Sequence, residues 1–200
     1  YYALNVPHAN NEGGRHNPAA ERGMEVPDFG PYAGKDWPGP EKGFAGIMRN
    51  IDRDVGRILK ELKSLGMDDN TIVMFSSDNG PHQEGGHQME FFNSNGALRG
   101  MKRDLYEGGV RVPLIVRWPG NVAAGTTSNH ISGFQDVLPT LAEFAGADIP
   151  NDLDGISLVP ELTGTGTQNT HDFLYWEFSV QKGKRAVSKG DWKLVQLRVA

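Results

Sequence analysis

Two neighbouring oxygen-bearing side chains follow a short apolar run near the middle of the chain. The run covers residues 72–75, and Asp78 and Asn79 come shortly after it, just before a glycine. This order is typical of a buried strand that delivers side chains to a site beyond its carboxyl end. A carboxylate and an amide carbonyl suit a hard cation such as Ca²⁺ or Mg²⁺. The pattern therefore predicts a metal site at the end of this strand.

Cations and glycines lie farther along the chain in two short segments. The first is LRGMK, residues 98–102, and the second is YEGGVRVP, residues 106–113, which leads into another apolar run. Glycines let a backbone approach a ligand or another segment closely. The two segments therefore combine positive charge with room for a close approach.

Together these segments resemble a known family. SSDNG at residues 76–80, followed by GMK and YEGGVRVP, is similar to the type I sulfatases of the alkaline-phosphatase superfamily. The flanking GPHQEGGH and EFFNSNG segments look like those of bacterial members that desulfate carbohydrates. The resemblance implies an α/β fold with a mainly parallel sheet flanked by helices. It covers the middle and later parts of the family.

The resemblance also implies roles for individual residues. Asp78 and Asn79 would be two of the ligands of a Ca²⁺ ion, in preference to Mg²⁺, with the remaining ligands upstream of this chain. Lys102 would contact the sulfate and could protonate the leaving oxygen. His8, which follows Pro7, would be the other candidate proton donor and sulfate contact.

Other polar residues near these segments leave more than one interpretation open. His82 and His87 lie in the loop after the metal residues, so either could contact substrate, or both could be incidental to a glycine-rich turn. For Arg103 and its neighbouring arginines, a salt bridge, for example to Glu107, is the preferred interpretation.

One feature of the family is missing from the chain. Type I sulfatases use a formylglycine nucleophile made from Cys or Ser in a motif with Pro and Arg. The chain contains no cysteine, and none of its serines lies in such a motif. The resemblance therefore implies a nucleophile upstream of residue 1. The chain also lacks an initiator Met, so we interpret it as part of a longer protein, periplasmic or secreted by resemblance.

Composition excludes several other classes of protein. The 200 residues carry a formal net charge of −5 without a basic run, which disfavours a nucleic-acid partner. No apolar run approaches the ~18 residues that a membrane-spanning helix needs, so we expect no membrane span. The expected partner is a small-molecule or oligosaccharide sulfate ester.

The hydrophobic pattern predicts the elements that position these residues. Apolar residues at three- and four-residue steps predict a helix over residues 40–65, and a second helix follows a capping box formed by Ser132 and Gln135. Residues 9–40 are predicted to be a long loop. The predicted strands are residues 72–75, 112–118, 173–178, 184–188 and 192–197, the last three antiparallel. Residues 1–168 would belong to the catalytic α/β domain and 169–200 to the beginning of a C-terminal subdomain.

Two functions compete with a sulfuric ester hydrolase. A phosphatase or phosphodiesterase of the same superfamily typically carries His where this chain has Asn79, and that difference argues against it. A non-catalytic sugar-binding relative would have kept the fold without the nucleophile.

Overall fold

The structure, a computed structural model, describes residues 1–11 and 23–199 and divides into two compact units. The first unit comprises Tyr1–Gly66 and Asp78–Val112, and the second comprises Met67–Ser77 and Pro113–Ala200. Part of the predicted loop at residues 9–40 lies outside the described residues. The predicted domain boundary after residue 168 stays a prediction.

The longest helix, α1, spans Gly39–Ser64 and confirms the helix predicted for residues 40–65. Pro40 lies in its first turn, where the fixed φ of proline suits the helix and its missing N–H is not needed. Gly43 faces the backbone of Met24, where an added Cβ would overlap the Met24 carbonyl oxygen. Within the described ranges, no helix is long and apolar enough to cross a bilayer.

Strands β1 (Val73–Ser76) and β2 (Leu114–Arg117) pair with each other in the second unit. The prediction that they share a sheet is confirmed, but the expectation of a parallel arrangement is wrong for this pair, which is antiparallel. Because Ser76 lies opposite Leu114, the chain leaves β1 and enters β2 at the same end of the sheet. A parallel pairing would require a crossover back to the start of β1. The placement of α1 on a face of this sheet stays a prediction.

A buried aspartate organises the second predicted helix. Helix α3, Val137–Ala145, follows a 3₁₀ turn at Phe134–Asp136 and ends at Gly146, which has a left-handed φ of 63°. The predicted capping box at Ser132 is wrong, because Asp136 Oδ2 accepts the N–H of Gly133 at 2.8 Å instead. Asp136 Oδ1 also accepts the N–H of Ile156 at 2.7 Å and faces His171 Nε2 at 2.8 Å.

The C-terminal strands form the predicted antiparallel sheet. They are β3 (Leu174–Phe178), β4 (Lys184–Lys189) and β5 (Trp192–Leu197), and β4 lies in the middle. Gly190, with a φ of 56°, forms the tight turn between β4 and β5. The remaining elements include two short helices that the sequence did not predict: α2 (Glu107–Val110) and α4 (Val159–Thr163), and 3₁₀ turns at Gly30–Tyr32, Asp68–Asn70 and Met89–Phe91.

Candidate active site

The loop that begins at Gly80 holds the glycine-rich segment in place. The N–H of Gly80 donates to the Gly109 carbonyl at 2.9 Å, and a Cβ on Gly80 would overlap the Gly108 carbonyl oxygen. The next carbonyl, that of Pro81, accepts the backbone N–H of Lys102 at 2.8 Å. The backbones of the SSDNG and YEGG segments therefore pack directly against each other, and the glycines make this close approach possible.

A tight turn presents the Lys102 side chain. The Asp104 N–H donates to the Met101 carbonyl at 2.8 Å and closes the turn. Arg103, within it, has a left-handed φ of 74°. A non-glycine residue in that region costs roughly 1–3 kcal/mol and persists only where the surrounding contacts fix it. The backbone position of Lys102 is thus fixed by the turn itself, independently of the contacts of its side chain.

The ring of His82 fixes the segment that carries His8. His82 Nε2 donates to the Pro7 carbonyl at 3.0 Å, and His82 Nδ1 accepts the Glu84 N–H at 3.0 Å. These partners assign the neutral tautomer with its proton on Nε2. Burial lowers the pKa of His82, and this outweighs the opposite effect of the bond to Pro7. His82 therefore stays neutral near pH 7 and anchors Pro7.

His8 and Lys102 are in direct contact, although they lie 94 residues apart in the chain. Lys102 Nζ lies 2.7 Å from His8 Nε2, while His8 Nδ1 lies 2.8 Å from the Ala9 carbonyl oxygen. His8 Nδ1–H therefore donates to Ala9, and Nε2 accepts from the Lys102 ammonium. The His8 side chain is 52% exposed, so a ligand can reach its ring. The structure thus brings together His8 and Lys102, two of the residues that we predict to share one pocket with Asp78 and Asn79; the convergence with Asp78 and Asn79 and the catalytic roles stay predictions.

Glu84 completes this cluster and was not among the predicted site residues. Its Oε2 lies 2.7 Å from Lys102 Nζ, and its Oε1 lies 2.8 Å from Arg103 Nη2. The salt bridge expected for Arg103 is thus present, with Glu84 as a partner. Burial alone would raise the pKa of Glu84, but the hydrogen bonds and charges of Lys102 and Arg103 outweigh it and hold the pKa below its usual range.

His87 is fully buried and faces a buried carboxylate. His87 Nδ1 lies 2.6 Å from Glu41 Oε2, and Glu41 Oε1 accepts the N–H of Gln88 at 2.8 Å. The ring also stacks on Phe44, with 3.9 Å between centroids. These contacts tie the loop to the first turn of α1. Glu41 was not among the predicted site residues, although its position three residues before Phe44, on the apolar face of the helix, was a usable signal.

The internal contacts of His82 and His87 bear on their predicted contact with substrate. Both rings are buried, and their described hydrogen bonds go to the protein itself. This arrangement favours a role in holding the loop. Substrate contact by either residue stays a prediction.

Asp78 and Asn79 follow β1 in the chain and enter the first unit. Asp78 is exposed and Asn79 is half-buried. Asn79 Nδ2 donates to the Gly80 carbonyl at 3.0 Å, which fixes the plane of the amide. Among the described residues, no group of three or more His, Cys, Asp or Glu could hold a metal ion. One carboxylate and one amide oxygen fit two positions of the six to eight that Ca²⁺ takes, so the chain offers part of a ligand shell.

Comparison with known proteins decides the family. The sequence profile of the sulfatases matches residues 28–147. The chain belongs to the sulfatase family. A second profile, for the C-terminal region of N-sulphoglucosamine sulphohydrolase, matches residues 100–198 of this sulfatase chain.

Individual sulfatases and solved structures agree with this assignment. Steryl-sulfatase of Mus musculus is 39% identical over 148 residues, which is 68% of this chain and 24% of that protein. A solved structure in complex with its substrate, D-glucosamine-2-N,6-O-disulfate, is 30% identical with a TM-score of 0.66, covering 80% of this chain and 32% of that one. The structure of Ps i-CgsB in complex with k-i-k-neocarrahexaose is 27% identical with a TM-score of 0.71, covering 96% of this chain and 40% of that one.

These matches establish the alkaline-phosphatase-like fold that sulfatases share. The chain spans 24% of the length of the curated relative and 32–40% of the two solved chains.

Proposed function

We propose that this chain supplies the proton-donating side of the active site of a sulfuric ester hydrolase. The observation that carries the proposal is the 2.7 Å contact between Lys102 Nζ and His8 Nε2 in a sulfatase family chain. Hydrolysis of a sulfate ester leaves negative charge on the departing oxygen, which a nearby acid must neutralise. The Lys102 ammonium carries protons that can reach that oxygen, and His8 Nε2, which accepts from Lys102, can donate one only after the ring takes up a second proton.

The charges of the cluster suit a sulfate ester. The Lys102 ammonium and the Arg103 guanidinium lie on either side of Glu84 and together exceed its single negative charge. Lys102 has three N–H donors, and its described partners, Glu84 and His8, use two of them. The third can donate to an ester oxygen without breaking either contact.

Asp78 and Asn79 would hold part of the Ca²⁺ shell of this site. When bound, the ion supplies positive charge that stabilises the sulfuryl oxygens and orients the ester. The chain contains Cys 0, so the formylglycine nucleophile of the family is proposed to come from outside it. Within this chain, the proposed roles are ion binding by Asp78 and Asn79 and proton donation by Lys102 or His8.

The proposed substrate is a sulfated carbohydrate or an aryl sulfate. Two structural neighbours support a carbohydrate, because one was solved with a disulfated glucosamine and the other with a neocarrahexaose. An apolar pocket is not needed at the cluster, since the sulfuryl group itself meets the Lys102 ammonium and the His8 imidazole.

The experiment compares sulfate and phosphate release by the full-length protein that contains this chain. We expect kcat/KM for a sulfated glucosamine or an aryl sulfate to exceed that for the matching phosphate ester by at least roughly tenfold, a transition-state difference of about 1.4 kcal/mol. A preference for the phosphate ester would overturn the proposal in favour of a phosphatase. Binding of the sulfated sugar without release of sulfate would favour a sugar-binding relative.

The same assay carries a metal arm. Treatment with a chelator is expected to lower sulfate release, and added Ca²⁺ should restore it more fully than Mg²⁺. Ca²⁺ binding to the Asp78→Ala protein, followed by calorimetry, should be weaker than to the parent. Equal binding by the two proteins would remove Asp78 from the ligand shell.

A further inference from the structure

Glu84 lies at the centre of three groups that can carry positive charge. Its Oε2 contacts Lys102 Nζ at 2.7 Å and His8 Nε2 at 3.5 Å, and its Oε1 contacts Arg103 Nη2 at 2.8 Å. Only 16% of the Glu84 side chain is exposed, so solvent screens these contacts weakly. The two oxygens are thus divided between Arg103 on one side and the Lys102–His8 pair on the other.

The backbone fixes Glu84 where these contacts require it. Its own N–H donates to His82 Nδ1 at 3.0 Å, and the ring of His82 also holds the Pro7 carbonyl. Gly85 follows with a left-handed φ of 64°, and a Cβ there would lie 2.9 Å from the Ala9 Cβ. One ring therefore holds both the Glu84 backbone and the segment that carries His8.

The charged groups that face the Glu84 carboxylate favour its ionised form. They are Lys102 and Arg103; His8 Nε2 lies farther away at 3.5 Å, and His82, which accepts the Glu84 N–H, is neutral. Burial would raise the pKa of Glu84, yet Lys102 and Arg103 hold it below its usual range. The carboxylate is therefore negative throughout the neutral pH range.

We propose that Glu84 is a positioning residue that holds Lys102 and His8 together and keeps the Lys102 ammonium directed at the sulfuryl group. This inference rests on the proposed function, because it assumes that Lys102 donates a proton to the leaving oxygen. A lysine ammonium ends a flexible four-carbon stem with about 2 kcal/mol of rotamer entropy. Contacts to Glu84 and His8 remove that freedom before the ester binds, which is how a site gains rate through orientation.

The test is Glu84→Gln in the full-length protein, assayed with a sulfated glucosamine. The amide keeps the shape of the side chain but loses the charge that favours the ammonium form of Lys102. We expect kcat to fall by about 10–100-fold, with KM changed by less than about threefold. The basic limb of the pH profile should move to lower pH, because the ammonium loses a neighbouring negative charge.

Glu90→Gln is the matched control. Glu90 lies in the same loop and is exposed, and its carboxylate accepts the Gln83 amide at 2.6 and 2.8 Å rather than contacting the three basic groups. Glu90→Gln removes the same negative charge from a position close to Glu84 in the sequence. Its kcat and pH profile should equal those of the parent.

Two results separate this inference from the proposed function. If Lys102→Ala abolishes turnover while Glu84→Gln keeps the parent kcat and pH profile, only the positioning role is overturned. If Lys102→Ala leaves turnover unchanged, the proposed function itself fails.

A second variant covers the case in which Glu84→Gln does not fold, as judged by its thermal midpoint. Glu84→Asp keeps the charge but is one carbon shorter, so it cannot reach both Lys102 and Arg103. We expect a lower kcat with the basic limb unmoved. A basic limb shifted in Glu84→Asp as well would contradict the role of the charge.

Discussion

Replacing Lys102 with alanine in the full-length protein is expected to lower kcat for a sulfated sugar by about 10²–10³-fold. The lost ammonium interacts most strongly as charge develops on the leaving oxygen, so kcat and kcat/KM should fall together. Folding should be little affected, because Glu84 keeps its 2.8 Å pairing with Arg103. Steady-state kinetics and the thermal midpoint, measured side by side, check both parts.

Lys60→Ala serves as the control for this substitution. Lys60 is exposed on α1, so its removal should leave kcat and the thermal midpoint at parental values. Parental kcat in Lys102→Ala would end the assignment of Lys102 as a proton donor. A collapsed thermal midpoint would instead mark Lys102 as a structural residue.

Glu41→Ala is expected to lower the free energy of unfolding more than any of the other proposed substitutions. Glu41 is 2% exposed and His87 is 0% exposed, so the substitution leaves a buried imidazole and the Gln88 N–H without their acceptor. Removing one partner of such a pair costs about 3 kcal/mol in the free energy of unfolding. The shift of the denaturant midpoint at constant m-value measures this change.

Glu61→Ala tests whether position on the helix alone explains the loss. Glu61 is exposed on the same helix, so its removal should change the free energy of unfolding by no more than about 0.5 kcal/mol. Equal effects of the two substitutions would show that the contact between Glu41 and His87 contributes little to stability.

The contrast between Lys102 and Glu84 shows which residues of the cluster a sequence pattern can indicate. Lys102 lies in a recognisable segment, and the contact with His8 follows from the small size of the group that both would bind. Glu84 lies in the same region but has the appearance of a solvated loop carboxylate. Its role depends on Lys102, Arg103 and His8 folding around it, and no local pattern encodes that convergence.

The elements show a similar division. Periodicity identified α1 and the C-terminal strands, because burial of one face leaves a repeat in the sequence. The direction of β2 relative to β1 could not be predicted in this way, since an apolar run is the same in either direction. The cap is at Gly133 and not at the predicted Ser132, because Asp136, buried beside His171, accepts the Gly133 N–H.

The most direct test of the central claim is a crystal structure of the full-length protein with a sulfated glucosamine bound. We expect a sulfate or leaving oxygen within about 3.2 Å of Lys102 Nζ and of His8 Nε2. Glu84 should keep its contact with Lys102 in that complex. An ester bound away from both nitrogens, with Lys102 and His8 still in contact only with each other and with Glu84, would contradict it.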